Sequence, residues 1–486
     1  MKDLRSILLF TLISFIYFHC SNSRDQNLLH QRLKACDLQE TDSTVLCGTL
    51  SVFENARTQS GRKIDLNIIV IPSVHKNAVK APIFFLEGGP GVSAALGASF
   101  YADTVNYYRL NHDVVLVDVR GTGQSNPLHC RQLQFKRDLA EHMMEMYPVD
   151  DVKDCYDSLS KLADLTQYTT SNMATDIEEV RKWLGYEKIN LFGLSFGTRL
   201  AQVYMKMFPN SVESTVLWSP TTIGSKMPLY HARFADESLN KLFEDCKRDS
   251  LCNQYFPNLK GEFLDLVAKS KGGPFTYEIN SEEGKPTEIA IPWYAFHTKM
   301  RGMMYSPAGL RQVPFLIHEG SQGNWGPFIA RFPSGSSYDD FIAEGLYLCV
   351  TCTEDVPFIS DEDITSWTKD TFMGDYRVVQ QQNACARWVK GTVPDNYFEP
   401  VTTDIPTLIF SGYFDPVTPP SMAEEIVTTL SNGYIISIPG MSHTFDGLAN
   451  PECFDRIVVD FFNNPSAKPN SDCTKQMLPG RYRTSG

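Results

Sequence analysis

The chain has 486 residues, twelve cysteines and a formal net charge of −13. That acidity excludes nucleic acid and anionic membrane surfaces as electrostatic partners. The length exceeds one ordinary domain but fits an α/β core carrying a large insertion, and no Cys/His grouping has convincing zinc spacing, so no metal is expected.

At the start, Lys2 and Arg5 precede an apolar run from Ser6 to Phe18 that is too short to span a bilayer, so residues 1–23 read as a secretory signal. Its removal takes away Lys2, Asp3 and Arg5 and leaves the chain one unit more acidic. Cys20 follows the apolar run directly, where a bacterial lipoprotein carries its lipidated cysteine, yet Tyr17-Phe18-His19 lacks the small residues such a site prefers. Two readings stay open: a lipid on Cys20, or ordinary cleavage near Ser21 to Ser23. Either makes the protein exported, whether secreted, periplasmic or on the cell surface, with membrane contact only through that lipid. Cysteines in an exported chain suggest disulfides rather than a thiol enzyme. Connectivity cannot be read from spacing, and the simplest local choices are Cys36 with Cys47, Cys130 with Cys155, Cys246 with Cys252 and Cys453 with Cys473. Of the remaining three, Cys352 with Cys385 is preferred, leaving Cys349.

Val45 to Phe53 and Lys63 to Ile71 are expected as antiparallel strands joined through the turn signal Gln59-Ser60-Gly61-Arg62. In the second, Ile64, Leu66, Ile68 and Val70 alternate with mostly polar neighbours, the pattern of one buried face. Then Pro82 to Leu86 and Val114 to Val117 become continuously apolar, as in central parallel strands covered on both faces. Ile189 to Phe192, Thr215 to Trp218, Thr407 to Phe410 and Tyr434 to Ile438 continue the series. The gap after Trp218 is too long for a simple crossover, so residues 221–400 are expected as an inserted, mainly helical lid. It is rich in aromatic and methionine residues, among them Trp293, Tyr294, Phe296, Met300, Met303, Met304, Tyr305, Trp325 and Phe328. Most should form its own core, with a few facing the cleft over the carboxyl ends of the strands. The resulting division is 1–23 signal peptide, 24–220 first part of the core, 221–400 lid and 401–486 second part of the core.

Within this series Gly193-Leu194-Ser195-Phe196-Gly197 joins an apolar strand to a helix-like run from Arg199 to Met207, ended by Pro209. A serine on a sharp strand-to-helix turn needs glycine on both sides, because a β-carbon there would collide with the neighbouring strand and helix. Such a serine is exposed at the top of the sheet, and the helix amino terminus favours negative charge at a substrate carbonyl. It needs a base and an acid that orients the base. Of the four histidines after Ser195, only His443 follows a core strand directly, in Pro439-Gly440-Met441-Ser442-His443. Asp415 follows the preceding strand, so the chain order is Ser195, Asp415, His443. The backbone amides of Phe196 and of Gly89, in the glycine-rich loop Glu87-Gly88-Gly89-Pro90-Gly91, are the candidate oxyanion donors.

Leu86-Glu87-Gly88-Gly89-Pro90-Gly91, Asp118-Val119-Arg120-Gly121-Thr122-Gly123-Gln124-Ser125, Gly193 to Thr198, Asp415-Pro416-Val417-Thr418-Pro419 and Gly440-Met441-Ser442-His443 stand in order at compatible spacing. Together they resemble the prolyl aminopeptidase and tripeptidyl aminopeptidase branch of the α/β-hydrolases, over roughly residues 45–220 and 345–475. The resemblance implies an α/β-hydrolase fold, in which a mostly parallel sheet is flanked by helices and the lid precedes the acid-bearing strand. It departs at Glu87, where prolyl aminopeptidases commonly have histidine, and at Ser219-Pro220, where relatives often have an acidic residue and glycine. An exopeptidase of this kind must hold a free α-amino group with a carboxylate. Cys352-Thr353-Glu354-Asp355 resembles an element of the tripeptidyl aminopeptidases, which makes Glu354 the candidate substrate-binding residue. The expected function is therefore a secreted serine exopeptidase acting on small peptides, with no metal or organic cofactor. Two alternatives use the same residues: a carboxylesterase, because fold does not decide substrate, and a catalytically silent binding protein, against which the complete residue set argues.

Overall fold

A computed structural model describes residues 26–37, 45–75, 80–103, 106–134, 138–280, 285–332 and 341–485. The expected signal peptide, 1–23, and Cys20 lie outside the described residues. Nine strands form one sheet: β1 (Lys34–Cys36), β2 (Val45–Asn55), β3 (Ser60–Ile71), β4 (Ile83–Leu86), β5 (Val114–Val117), β6 (Ile189–Leu194), β7 (Val212–Trp218), β10 (Thr407–Gly412) and β11 (Gly433–Ile438). Their spatial order is β1-β2-β3-β5-β4-β6-β7-β10-β11. The first three strands run antiparallel, and from β5 onward the neighbours are parallel. This is the α/β-hydrolase arrangement.

Burial explains the apolar runs. In β4, Phe84 and Leu86 point into one hydrophobic core while Ile83 and Phe85 point into another on the opposite face, and Val115 with Val117 and Val114 with Leu116 divide the same way in β5. A strand covered on both faces has no position for a polar residue, so period-two alternation disappears. In β3 the outer end, Ser60 to Lys63, is exposed, and full burial begins only toward Ile71. The hairpin turn closes earlier than the glycine signal suggests: Gln59 N donates to Asn55 O at 3.0 Å, and Gly61 already belongs to β3.

The inserted stretch divides between two cores. Helices His231–Arg248, Leu259–Ser270, Trp293–Met303 and Val313–Ser321 and the hairpin β8 (Phe275–Asn280) with β9 (Pro286–Ile291) assemble a separate core. It contains Phe243, Phe263, Phe296, Met300, Met304, Trp325 and Phe328. Helices Glu344–Glu354 and Tyr376–Cys385 instead pack Leu346, Leu348, Val350, Val378 and Ala384 into the main core under the sheet. Disulfides join Cys36 to Cys47, Cys130 to Cys155, Cys246 to Cys252, Cys352 to Cys385 and Cys453 to Cys473, the pairs that sequence proximity suggests. Cys349 is free and buried, with the Trp388 indole N–H directed at its sulfur. Among the described residues no helix is long and apolar enough to cross a membrane.

Candidate active site

Strand β6 ends at Leu194, and the next residue, Ser195, precedes the helix Phe196–Met207 and has φ 53° and ψ −120°. A non-glycine residue in that region is strained and persists only where its surroundings hold it. Here Ser195 N donates to Trp218 O at 3.0 Å, while Ser195 O accepts from Thr198 N at 2.9 Å and from the Thr198 hydroxyl. The flanking glycines are required sterically. A β-carbon on Gly193 would lie 2.5 Å from the Gly197 carbonyl oxygen, and one on Gly197 would overlap the carbonyl of Leu86. Ser195 Oγ has no hydrogen-bond partner among the described residues.

Two further strand ends bring the other side chains to the same edge. His443, in the loop after β11, has Nδ1 2.9 Å from Asp415 Oδ2, in the loop after β10. Asp415 Oδ1 accepts from the amides of Val417 and Thr418 at 2.8 and 2.9 Å. Thr418 Oγ1 lies 2.8 Å from Asp415 Oδ2 and 3.0 Å from Ser219 O. Ser219 Oγ donates to the His443 carbonyl at 2.7 Å. Because Ser219 directly follows Trp218, which binds the Ser195 amide, one chain of hydrogen bonds links the three loops that carry Ser195, Asp415 and His443. Asp415 is 1% exposed. Burial pushes its carboxyl up, but His443 and the Thr418 donors outweigh that and hold it below the usual carboxylate value. The imidazole packs edge-on against Tyr305 of the insertion at 5.3 Å. Thr444 N donates to Tyr305 O at 3.0 Å, and Ser442 Oγ donates to Met304 O, which fastens the insertion to the histidine loop.

The glycine-rich loop lies against the serine. A β-carbon on Gly88 would sit 3.2 Å from Ser195 Cβ. Gly89, at φ 110°, has no room for a side chain, since a β-carbon would meet Gly91 N at 2.5 Å. The amides of Gly89 and Phe196 donate to no acceptor among the described residues, whereas Gly88 N is taken by Glu87 Oε2 at 2.6 Å. Burial raises the Glu87 carboxyl, with the Gly88 amide opposing. Asp118 anchors the far end of the loop by accepting from Ser93 Oγ at 2.5 Å and Ala95 N at 3.1 Å. That accounts for an aspartate at the end of β5.

Glu354 lies elsewhere than a contact with a substrate ammonium requires. It is fully buried, accepts from Thr170 N at 2.7 Å, Thr170 Oγ1 at 2.6 Å and Tyr397 Oη at 2.5 Å, and sits 3.9 Å from Arg199. Burial raises its carboxyl, against the pull of Arg199 and these donors. Its neighbour Asp355 is also spent, since Arg199 binds it through two nitrogens at 2.8 and 3.2 Å. Glu344 is half-buried, accepts from Tyr147 Oη at 3.3 Å, lies in the field of Arg377, and follows Ala343, whose amide donates to Gly91 O of the glycine loop at 2.9 Å. Sequence reasoning gave no role to Thr418, although it stands inside the Asp-Pro-Val-Thr-Pro motif, or to Ser219, which it noted only as a departure from relatives. Among the described residues no group of three or more His, Cys, Asp or Glu is placed to hold a metal ion.

Residues 81–255 match the family described as alpha/beta hydrolase fold, and residues 370–473 match the family described as TAP-like protein. Serine protease Hip1 of Mycobacterium tuberculosis is 23% identical over 471 residues, covering 87% of this chain and 86% of that protein. Tripeptidyl aminopeptidase of Streptomyces coelicolor is 23% identical over 473 residues, covering 90% of this chain and 84% of its own. Proline iminopeptidase of Neisseria gonorrhoeae is 27% identical over 136 residues, which is 28% of this chain and 31% of that one.

Proposed function

We propose that this protein, which belongs to the aminopeptidase-like branch of the α/β-hydrolases, is a serine exopeptidase that cleaves small peptides from a free amino terminus through an acyl-enzyme on Ser195. The observation that carries the reading is the His443–Asp415 hydrogen bond, tied through Ser219 and Trp218 to the strained Ser195 elbow. The names of the relatives, serine protease and tripeptidyl aminopeptidase, support a peptide substrate.

In this reading Ser195 Oγ attacks the scissile carbonyl while His443 Nε2 takes its proton. Asp415 accepts from Nδ1–H, which selects the tautomer with a free Nε2 and stabilises the imidazolium that forms. The Phe196 and Gly89 amides receive the developing oxyanion, preorganised because neither donates to an acceptor among the described residues. His443 then returns the proton to the leaving amine, and water resolves the acyl-enzyme by the same steps. Glu354 and Asp355 are fully buried, so we assign the substrate ammonium to Glu344, which is half-buried beside the glycine loop and would hold the ammonium together with its contacts to Tyr147 and Arg377. Five disulfides support export through the 1–23 signal.

The test is hydrolysis of fluorogenic di- and tripeptides with free and acetylated amino termini, beside a simple ester. Preference for the free peptides supports the exopeptidase. Ester turnover with no peptide cleaved would replace it by a carboxylesterase.

A further inference from the structure

Arginines drawn into the interior of this chain have acceptors, as when Arg109 donates to the carbonyls of Ala102 and Pro72 at 2.9 and 3.3 Å. Arg120 binds Asp176 through two nitrogens at 2.6 and 2.7 Å, Arg199 binds Asp355 in the same way, and Arg377 donates to Tyr347 Oη at 2.9 Å in the field of Glu344. Arg301, on the insertion helix Trp293–Met303, is the exception. It is 8% exposed, and its Nε and Nη2 are buried with no acceptor; among the described residues no carboxylate pairs with it. Its guanidinium carbon lies 5.1 Å over the ring of Tyr305, and that ring is 5.3 Å from the His443 imidazole. A permanent cation taken from water without a counter-charge is strongly unfavourable, and an aromatic face compensates only in part. The neighbouring imidazole adds no anion: burial, then the charges of Arg301, Arg377 and His443, hold His231 well below the usual histidine value, so it is neutral.

We propose that Arg301 is the carboxylate receptor of the substrate site, pairing with an anionic oxygen on the leaving fragment of the peptide. This rests on the exopeptidase reading for the identity of the substrate, not for its charge. The leaving side follows from the chemistry, because His443 must hand its proton to the departing amine and Arg301 approaches from the imidazole side. The distance fits. Guanidinium and imidazole are within about 10 Å of each other across Tyr305, and an extended chain covers roughly 3.3 to 3.6 Å per residue. A carboxylate one or two residues beyond the scissile bond therefore reaches Arg301. It comes either from the free carboxyl terminus of a short peptide or from an acidic side chain, and the planar guanidinium binds either one through two parallel hydrogen bonds. The bonds from Thr444 to Tyr305 and from Ser442 to Met304 keep the receptor in register with the base.

The experiment compares wild type, Arg301→Gln and Arg301→Lys on two peptide pairs followed by mass spectrometry: tetra-alanine against its carboxyl-terminal amide, and Ala-Ala-Ala-Glu-amide against Ala-Ala-Ala-Gln-amide. Phenyl acetate and 3-acetoxybenzoate, whose leaving groups differ only by a carboxylate, form a third pair. Arg301→Gln should lower the ratio of kcat/KM between the carboxylate and the neutral member of a pair about 10- to 100-fold, the usual reach of a charge-assisted bond. Arg301→Lys should retain part of the preference. Loss within the first pair identifies the terminal carboxylate as the ligand, and loss within the second identifies the acidic side chain. The thermal midpoint of Arg301→Gln should equal or exceed that of wild type, because a charge lacking a protein partner is removed. Equal losses on both members of every pair, no carboxylate preference in wild type, or a midpoint lowered by several degrees would each overturn the proposal. If no peptide is cleaved but the acetoxybenzoate preference exists and vanishes in Arg301→Gln, the exopeptidase reading falls and the carboxylate receptor stands.

Discussion

Gly197, on the first turn after Ser195, is pressed against the carbonyl of Leu86 so closely that a β-carbon there would overlap the oxygen. This contact sets the spacing between the elbow helix, which presents the Phe196 amide, and the glycine loop, which presents Gly89. Gly197→Ala must push backbone away from backbone, so it should cost about 1 to 3 kcal/mol of stability, the range for overpacking. Turnover should fall further, because both proposed oxyanion donors are displaced. Urea unfolding together with kcat on a simple ester checks both. Full activity at wild-type stability would mean that the loop yields without consequence.

Ser195→Ala should abolish labelling by a serine-directed phosphonate without changing the fold, since alanine fits the elbow but offers no nucleophile. Asp415→Asn and His443→Ala should each lower kcat by several orders of magnitude, far from additively, because residues of one triad act as a unit. A double mutant losing the product of the two single losses would show that they serve separate steps.

Thr418 holds Asp415 through both its amide and its hydroxyl. Thr418→Val keeps the shape and the amide but removes the hydroxyl. It should lower kcat about tenfold or more, given roughly 1.5 to 3 kcal/mol for a hydrogen bond to a charged group, with KM little changed. Thr418→Ser should restore most of the rate. Equal behaviour of valine and serine variants would show that only the backbone donor matters.

The lowered Asp415 carboxyl also predicts a pH dependence of stability. A carboxyl whose folded value lies below the unfolded one contributes stability above the unfolded value, about 3.9, and that contribution is lost as pH falls through the folded value. In the Ser195→Ala background, the melting-temperature gap between Asp415 and Asp415→Asn should be present at about pH 5 and close as the pH falls below about 4. A gap that kept widening below about pH 4, in the carboxylate range, would reverse the sign of the Asp415 shift.

Glu354→Gln should leave the ratio of rates on free and acetylated peptides unchanged and should lower the melting temperature, since the carboxylate serves Thr170 and Tyr397 in the core. Glu344→Gln should reduce the same ratio about 10- to 100-fold, the scale of a charge-assisted bond. The opposite pattern would return the ammonium site to Glu354 and require it to leave its buried position.

Local pattern was enough for the central strands, because β4, β5, β6, β10 and the second half of β7 are buried almost throughout and so read as apolar runs. It was enough for the elbow too, since both glycines are demanded by backbone contacts within a few residues or with the adjacent strand. The disulfide pairs were legible because each closes a short loop, of which the longest separates its cysteines by 33 positions. Strand β1 and the hairpin β8–β9 were not, since short or alternating half-exposed segments carry little signal. Nor was the division of 221–400 between two cores, because an apolar helix carries no mark of which apolar surface it will join. The acid at Glu354 shows the same limit in its sharpest form. Sequence placed a carboxylate near the right segment, but whether it faces a cleft or accepts from Thr170 and Tyr397 depends on partners 184 and 43 residues away. Arg301 likewise became notable only when folding left its Nε and Nη2 buried with no acceptor among the described residues. Residue types and their spacing determine which chemistry the chain can assemble. Long-range packing decides which of those charges are neutralised inside the protein and which are left to meet a ligand.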